Sequence, residues 1–399
     1  MTYLSPDAMR QARKFMSADQ KGVRDEIGFL IVHQRYADRF FPGTSVLHTR
    51  LRYVLFVPWI YRDEQLRPAR TLRTRESIKQ REWRLTERLL DEPYGVIGKG
   101  NYPDPVEQRP SQIYWSALQR WGILREQEGT GPITRDQVER LVASKQAAIA
   151  LKDEDGMPLD APDWPFVCPE PPDDWYLPGK GSLRFKLERK ERTFLAKRIR
   201  SLASPDNPGA RSVFSLLVGH DVSSVRDAWR RPVLDLAGPE RDALARAGDA
   251  AALAAIGRAA YAAQVETLRE DDGLPTPEDQ RAALLPVLGQ WREQAGRLDW
   301  DRFVEDMTGT GTRIFPDLVC EALRQTLEWV RDGKSDPMLL EPAYRDAELH
   351  RKGRRARLAP NQFGADLRAE WVSGDHPRAT PLHYRWDRVK LMLGDLVGA

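Results

Sequence analysis

The chain is expected to be mainly α, with two helical domains joined by a proline-rich strap. Three stretches carry that expectation. Residues 40–62 are the densest apolar run and set Leu47, Leu51, Val54, Leu55 and Pro58 on one face at helical spacing, with Val46, Tyr53, Val57 and Ile60 opposite. Residues 238–270 are alanine-rich, hence of high intrinsic helix propensity. Residues 156–181 repeat proline too often for regular helix or central strand, and they separate residues 1–155 from 182–399. A chain of 399 residues exceeds one ordinary core, which agrees with two domains.

In chain order, Met9, Ala12, Phe15 and Met16 form an apolar stripe that predicts a helix over 5–18. Asp25 and Glu26 open a second, 27–40, with Ile27, Leu30, Ile31 and Tyr36 inward. Pro42-Gly43 is a turn, and the hydroxyl of Thr44 or Ser45 is placed to cap a central helix starting near 44. That helix should be buried nearly all round and kinked or unwound at Pro58. Residues 74–90 predict a helix apolar through Ile78, Trp83, Leu85, Leu89 and Leu90 and basic through Arg73, Arg75, Lys79, Arg81, Arg84 and Arg88. Gly95 to Gly100 lacks phosphate-loop spacing and reads as a connector. A helix over 111–122 turns Ile113, Leu118 and Trp121 inward and stops at Gly122; a short hairpin is expected over 123–134. Thr134 and Gln137 then cap a helix running to about Leu151.

Residues 74–134 thus hold the parts of a winged helix-turn-helix, whose third helix would present Gln112, Ser116, Gln119 and Arg120 to a DNA major groove. Ordinary helical bundles contain the same parts. The tryptophans of 156–181 fit a strap laid over one or both domains, since a free tether would be polar. Beyond it the pattern predicts helices over 183–202, over 239–270 as two helices broken at Gly248, over 280–298, 301–307 and 315–330, and a terminal amphipathic helix after Trp386.

The formal charge is +3, from 62 basic and 59 acidic residues, but Lys and Arg concentrate near 67–88, 180–200 and 351–357. Basic clusters on one face concentrate a polyanion, whereas scattered ones only solvate helices. Arg50 and Arg52 flank the central helix and need a carboxylate, a phosphate or solvent. One reading is an internal ion pair with Asp25, Glu26 or Asp38; the other is a phosphate clamp. The glycine-interrupted run Arg351, Lys352, Arg354, Arg355, Arg357 predicts a loop reaching for phosphate or for an acidic surface.

Signs of catalysis are sparse. His33, His48, His220, His350, His376 and His383 show no metal-ligand spacing, and Cys168 with Cys320 makes neither a disulfide framework nor a zinc site. No metal or cofactor is expected. The start shows no signal-peptide pattern and no segment reaches the ~18–20 apolar residues of a bilayer span, so the expectation is cytoplasmic, without membrane contact.

Arg24 to Gly28, the turn Phe41 to Ser45 with Thr49 to Arg62, and Gly95 to Gly98 with Ser111 to Trp115 resemble an uncharacterised bacterial family of unknown function. Gly353 to Leu358 and Leu382, Tyr384, Arg385 and Trp386 extend the resemblance over nearly the whole chain, with His383 standing where acidic residues are commoner. The resemblance implies genes in defence-type clusters near helicases and phospholipase-D-like nucleases, hence a place in an antiphage system, and it carries no catalytic residues. The expectation is a non-catalytic subunit that binds DNA or such a partner through Arg50, Arg52, Arg81, Arg84, Arg88, Gln112, Arg120 and the 351–357 run. Two other classes stay open: an enzyme acting on nucleic acid with a site between domains, and an adaptor whose basic runs meet acidic proteins.

Overall fold

The computed structural model describes residues 25–65, 77–126, 133–150, 164–276, 278–309, 314–373, 376 and 379–398. The expected helix at 5–18, Arg73 and Arg75, residues 127–132 of the expected hairpin and residues 156–163 of the strap lie outside them. In chain order the helices are α1 Phe29–Phe40, α2 Tyr53–Gln65, α3 Ile78–Arg88, α4 Pro110–Arg120, α5 Arg135–Ala150, α6 Arg189–Arg200, α7 Val213–Leu217, α8 Arg231–Leu234, α9 Arg241–Asp271, α10 Gln280–Gly296, α11 Trp300–Thr308, α12 Asp317–Arg331, α13 Glu341–Lys352, α14 Gln362–Ala369 and α15 Trp386–Val397. A short antiparallel pair, β1 Ala203–Ser204 with β2 Asn207–Arg211, joins α6 to α7. The protein is mainly helical.

Local chemistry accounts for many boundaries. Ser77, Ser212, Asp279, Asp299 and Asn361 each accept a hydrogen bond from a free backbone donor in the first turn of the helix that follows. Ser77 with Gln80 and Thr134 with Gln137 bond reciprocally as capping boxes. Gly122 ends α4 at φ 63°, a conformation that favours glycine.

Contacts divide the chain into two units, Met1–Tyr36 with Ala245–His383 and Ala37–Leu244 with Tyr384–Ala399. Residues 164–181 of the strap fall inside the second unit. There the core is α2, buried on every side from Tyr53 to Tyr61. The strap closes over it: Trp175 stacks on Phe56 at 5.6 Å and meets Trp59 at 5.3 Å, and Phe166 packs on Tyr61 at 5.5 Å. The Trp59 indole donates to the Pro169 carbonyl at 2.9 Å and the Trp175 indole to Asp63 at 2.8 Å, so the polar edges of both rings are satisfied.

The first unit is built on α9. Its alanines keep the surface low, and Gly257 lets the ring of Phe29 approach so closely that a Cβ there would sit 2.2 Å from the ring edge. Tyr261 donates to Glu348 of α13 at 2.8 Å, and Thr326 of α12 shares a 2.8 Å bond with Tyr344.

Several expectations are corrected. The central helix starts at Tyr53, not near 44, and Val46 and Leu47 are exposed. The backbone donors of Thr49 and Arg50 go to the Tyr114 hydroxyl and that of Leu51 to Asp395, so distant side chains hold this stretch outside a helix. Helix α2 continues through Pro58, so the chain does not unwind there. Residues 183–188 are not helical: Leu183, Phe185 and Leu187 are buried at alternate positions, the period of extended chain, and α6 starts only at Arg189. The break at Gly248 does not occur, because helix-favouring alanines flank it and one glycine costs only about 1 kcal/mol. Leu124 bridges to Phe166 of the strap, with Arg125 and Val167 completing the pairing. Leu30, expected inward, is exposed.

Candidate nucleic-acid interface

The basic residues singled out by the sequence meet different fates. Arg50 grips Asp395 with its Nε and Nη2 atoms, the shorter bond being 2.6 Å, between the rings of Tyr94 and Phe185. Arg52 is 1% exposed. It chelates Glu191 through Nε and Nη2 at 2.9–3.2 Å and donates from Nη1 to the Arg184 carbonyl. Both are internal ion pairs, with carboxylates other than the three expected. Asp38 instead receives Arg385 at 2.6 Å.

Asp25 and Glu26 are met by the 351–357 run itself. Arg351 reaches Asp25 at 2.8 Å, and Lys352 and Arg357 reach Glu26 at 3.1 and 3.6 Å. His376 Nδ1 lies 3.1 Å from the same carboxylate. Burial alone would raise the Glu26 pKa, but His376 and Lys352 outweigh it and hold the carboxyl at about 2. The run is not a free loop, since Arg351 and Lys352 end α13. Arg354 and Arg355 stay exposed, with the Arg354 guanidinium 6.0 Å from the exposed ring of Phe363.

Arg81, Arg84 and Arg88 share one side of α3 and line a cleft of about 530 Å³ with Trp175, Tyr176 and Leu177 of the strap. Arg88 donates to Ser182 Oγ and to the carbonyls of Asp174 and Trp175, and lies 5.2 Å above the Trp175 ring. Arg81, expected on an outward basic face, is buried, and Arg84 is exposed. Asp63 and Glu87 line the same cleft. On α4, Gln112, Ser116 and Arg120 are exposed, while Gln119 donates to the Ile133 carbonyl. The Gln112 side chain accepts from the Arg109 backbone at 2.9 Å and so caps its own helix.

The basic excess at 180–200 falls largely on α6. Helix α6 carries six cations, Arg189, Lys190, Arg192, Lys197, Arg198 and Arg200, and a single carboxylate, Glu191. Glu191, Leu195 and Ile199 form the buried face. Arg189, Lys190, Lys197 and Arg200 are exposed on the opposite side, with Arg192 and Arg198 half-buried at its flanks. Glu191 is spent on Arg52, so among the described residues none of the six has an ion-pair partner. The signal was present as six cations in twelve residues, but their availability depends on where Glu191 points.

A model of a family of unknown function, DUF6361, matches residues 2–207. The chain belongs to this family. The DUF6361 span contains α6, α3 and the strap, and ends before the 351–357 run. No curated protein and no solved structure matches the chain. No group of three or more candidate metal ligands converges among the described residues. Burial pushes the Cys168 thiol up to about 12 and raises that of Cys320, so neither is activated as a nucleophile. No helix among the described residues is long and apolar enough to cross a membrane.

Proposed function

We propose that this DUF6361 member is a non-catalytic, nucleic-acid-contacting subunit of a bacterial antiphage defence complex, with the outward face of α6 as its phosphate-binding surface. The unpaired cations of α6 carry the reading. Lys197, Arg198 and Arg200 sit at the helix C-terminus, where the macrodipole favours them, so those three have a structural reason to be there. Arg189 and Lys190 occupy the first turn, where a cation opposes the dipole by about 0.3–1 kcal/mol. Folding alone selects against charges of that sign in that place, and a phosphate ligand supplies the reason to keep them. The helix axis is roughly 16 Å long over this stripe, enough for a few consecutive phosphates. The place in a defence complex, with a helicase or phospholipase-D-like nuclease as partner, rests on the family resemblance.

Fluorescence anisotropy of labelled DNA and RNA across a salt series tests the surface. Replacing Lys190, Lys197 and Arg200 with Ala is expected to weaken binding and to flatten the plot of log affinity against log salt by roughly 2, since each phosphate contact contributes about 0.7–0.9 to the slope. Affinity and slope unchanged in that variant would remove α6 from the interface. Failure of the wild type to bind at low salt would leave the cations facing an acidic protein, the adaptor reading. A second reading, winged-helix docking of α4 in a duplex groove, is favoured by the exposure of Gln112, Ser116 and Arg120 at four-residue intervals on one face. It predicts that Arg120→Ala costs duplex affinity in particular.

A further inference from the structure

We propose that a cavity in the first unit, bounded by the chain leading into α1, by α9, by the start of α10 and by Trp371 and His376, binds a neutral purine or pyrimidine base. The proposal does not rest on the α6 reading.

Residues of this unit alone line the cavity, which holds about 270 Å³. That is just under the range of small-molecule pockets, about 300–1,000 Å³, so the occupant is of one- or two-ring size. Ile27, Phe29, Ala259 and Ala262 give it apolar walls, and the Trp371 and His376 rings, 5.4 Å apart and tilted by 31°, make one aromatic corner. Much of the polar lining already has work within the protein. Tyr261 donates to Glu348, Gln280 to Glu278 and Arg258 to the Thr380 carbonyl, while Asp25 accepts from Gly28 and Arg351. Two groups differ. The Nε1 of Trp371, a residue 8% exposed, is buried with no hydrogen-bond partner among the described residues. Glu26, 7% exposed, meets Lys352, Arg357 and His376 with its Oε1 atom, and among the described residues no hydrogen bond reaches its Oε2.

A ligand that supplies the complementary donor and acceptor removes the cost of leaving such groups unmet. The Glu26 carboxyl, held at about 2, is ionised at neutral pH and can only accept, so the ligand brings an N–H to it. The Trp371 indole can only donate, so the ligand brings an oxygen or a ring nitrogen. Charge narrows the class further. Asp25 and Glu26 already face Arg351, Lys352 and Arg357, so a cationic ligand would meet resident cations and an anionic one would meet two carboxylates. A neutral flat ring with N–H donors and acceptors along its edge satisfies both open groups and lies against the apolar walls, and nucleobases have that chemistry.

The test is isothermal titration calorimetry of the whole chain with adenosine, guanosine, cytidine and uridine at pH 7, with indole, a fused ring that carries a donor but no acceptor atom, for comparison. The expected result is saturable binding of at least one nucleoside, tighter than indole, weakened about tenfold by Trp371→Phe and abolished by Ala262→Leu, which fills the cavity. Circular dichroism establishes that each variant is folded, and Ala262→Leu carries the test if Trp371→Phe is not. Displacement of the bound nucleoside by a single-stranded oligonucleotide would identify the base as one carried by a strand and no displacement as a free compound, and either result upholds the site. Absence of saturable binding for all four nucleosides at millimolar concentration overturns the proposal. Binding that neither variant weakens places the ligand elsewhere and overturns it too, and indole bound as tightly as the best nucleoside overturns the assignment to bases.

Discussion

His48 shows how one buried side chain sets a pH response. Its Nε2 lies 3.1 Å from the Ile113 carbonyl, its ring stacks on Tyr114 at 4.3 Å, and its Nδ1 is buried without a hydrogen-bond partner. Adding a proton at Nδ1 would bury an unpaired cation near Arg385 and Arg388, so burial first and these charges second lower the pKa from 6.5 to about 4. Between those two values the unfolded chain takes up a proton that the folded chain refuses, so stability falls as the pH drops through this window, by roughly 3 kcal/mol in full. Asp249 acts with the opposite sign in an overlapping window, because burial raises its pKa to about 6 and its contribution is lost as pH rises. The readout is therefore the comparison with a variant. Urea midpoints at pH 7 and pH 5 should show the wild type losing stability relative to His48→Gln, and parallel losses would mean that His48 does not carry the effect.

Helix α6 depends on a single buried contact for its placement. Arg52 and Glu191 are 1% and 2% exposed, and each satisfies the other's charge. Glu191→Gln keeps the shape but leaves the guanidinium uncompensated except for the more distant Asp174 carboxylate. A loss of about 3 kcal/mol is expected, at the lower end for a broken buried pair. The double change Arg52→Met with Glu191→Leu should recover much of that loss in chemical denaturation, since no charge is then stranded. If the double variant is as unstable as the single one, shape rather than charge anchors the helix. The apolar stripe and the basic content of α6 were legible in advance. Its start was not, because Leu183, Phe185 and Leu187 satisfy an apolar count whether the chain is helical or extended. Their spacing of two residues was the available signal.

With a formal charge of only +3, the molecule as a whole attracts polyanions weakly, so any strong salt dependence must come from local clusters. The 351–357 run and α6 have similar basic content but opposite electrostatic situations. In the former, Asp25 and Glu26 face Arg351, Lys352 and Arg357, and in the latter no carboxylate faces outward. Arg351→Ala with Lys352→Ala should therefore lower the thermal midpoint, because two buried carboxylates lose partners, while leaving the salt slope of nucleic-acid binding as in the wild type. A flattened slope in that variant would place the run in the interface and weaken the contrast.

Helix content, the Thr134–Gln137 capping box, the buried apolar run and family membership follow from residue order alone, because propensity, spacing and local hydrogen bonds act over a few positions. Three-dimensional packing decided which cations remain available. Arg50 finds Asp395 and Arg351 finds Asp25, partners more than 300 positions away, whereas Lys190 and Lys197 find no ion-pair partner among the described residues. Composition specifies how much charge a chain carries. Whether a given charge can meet a ligand depends on the nearest opposite charge in space, and only the folded backbone brings the two together.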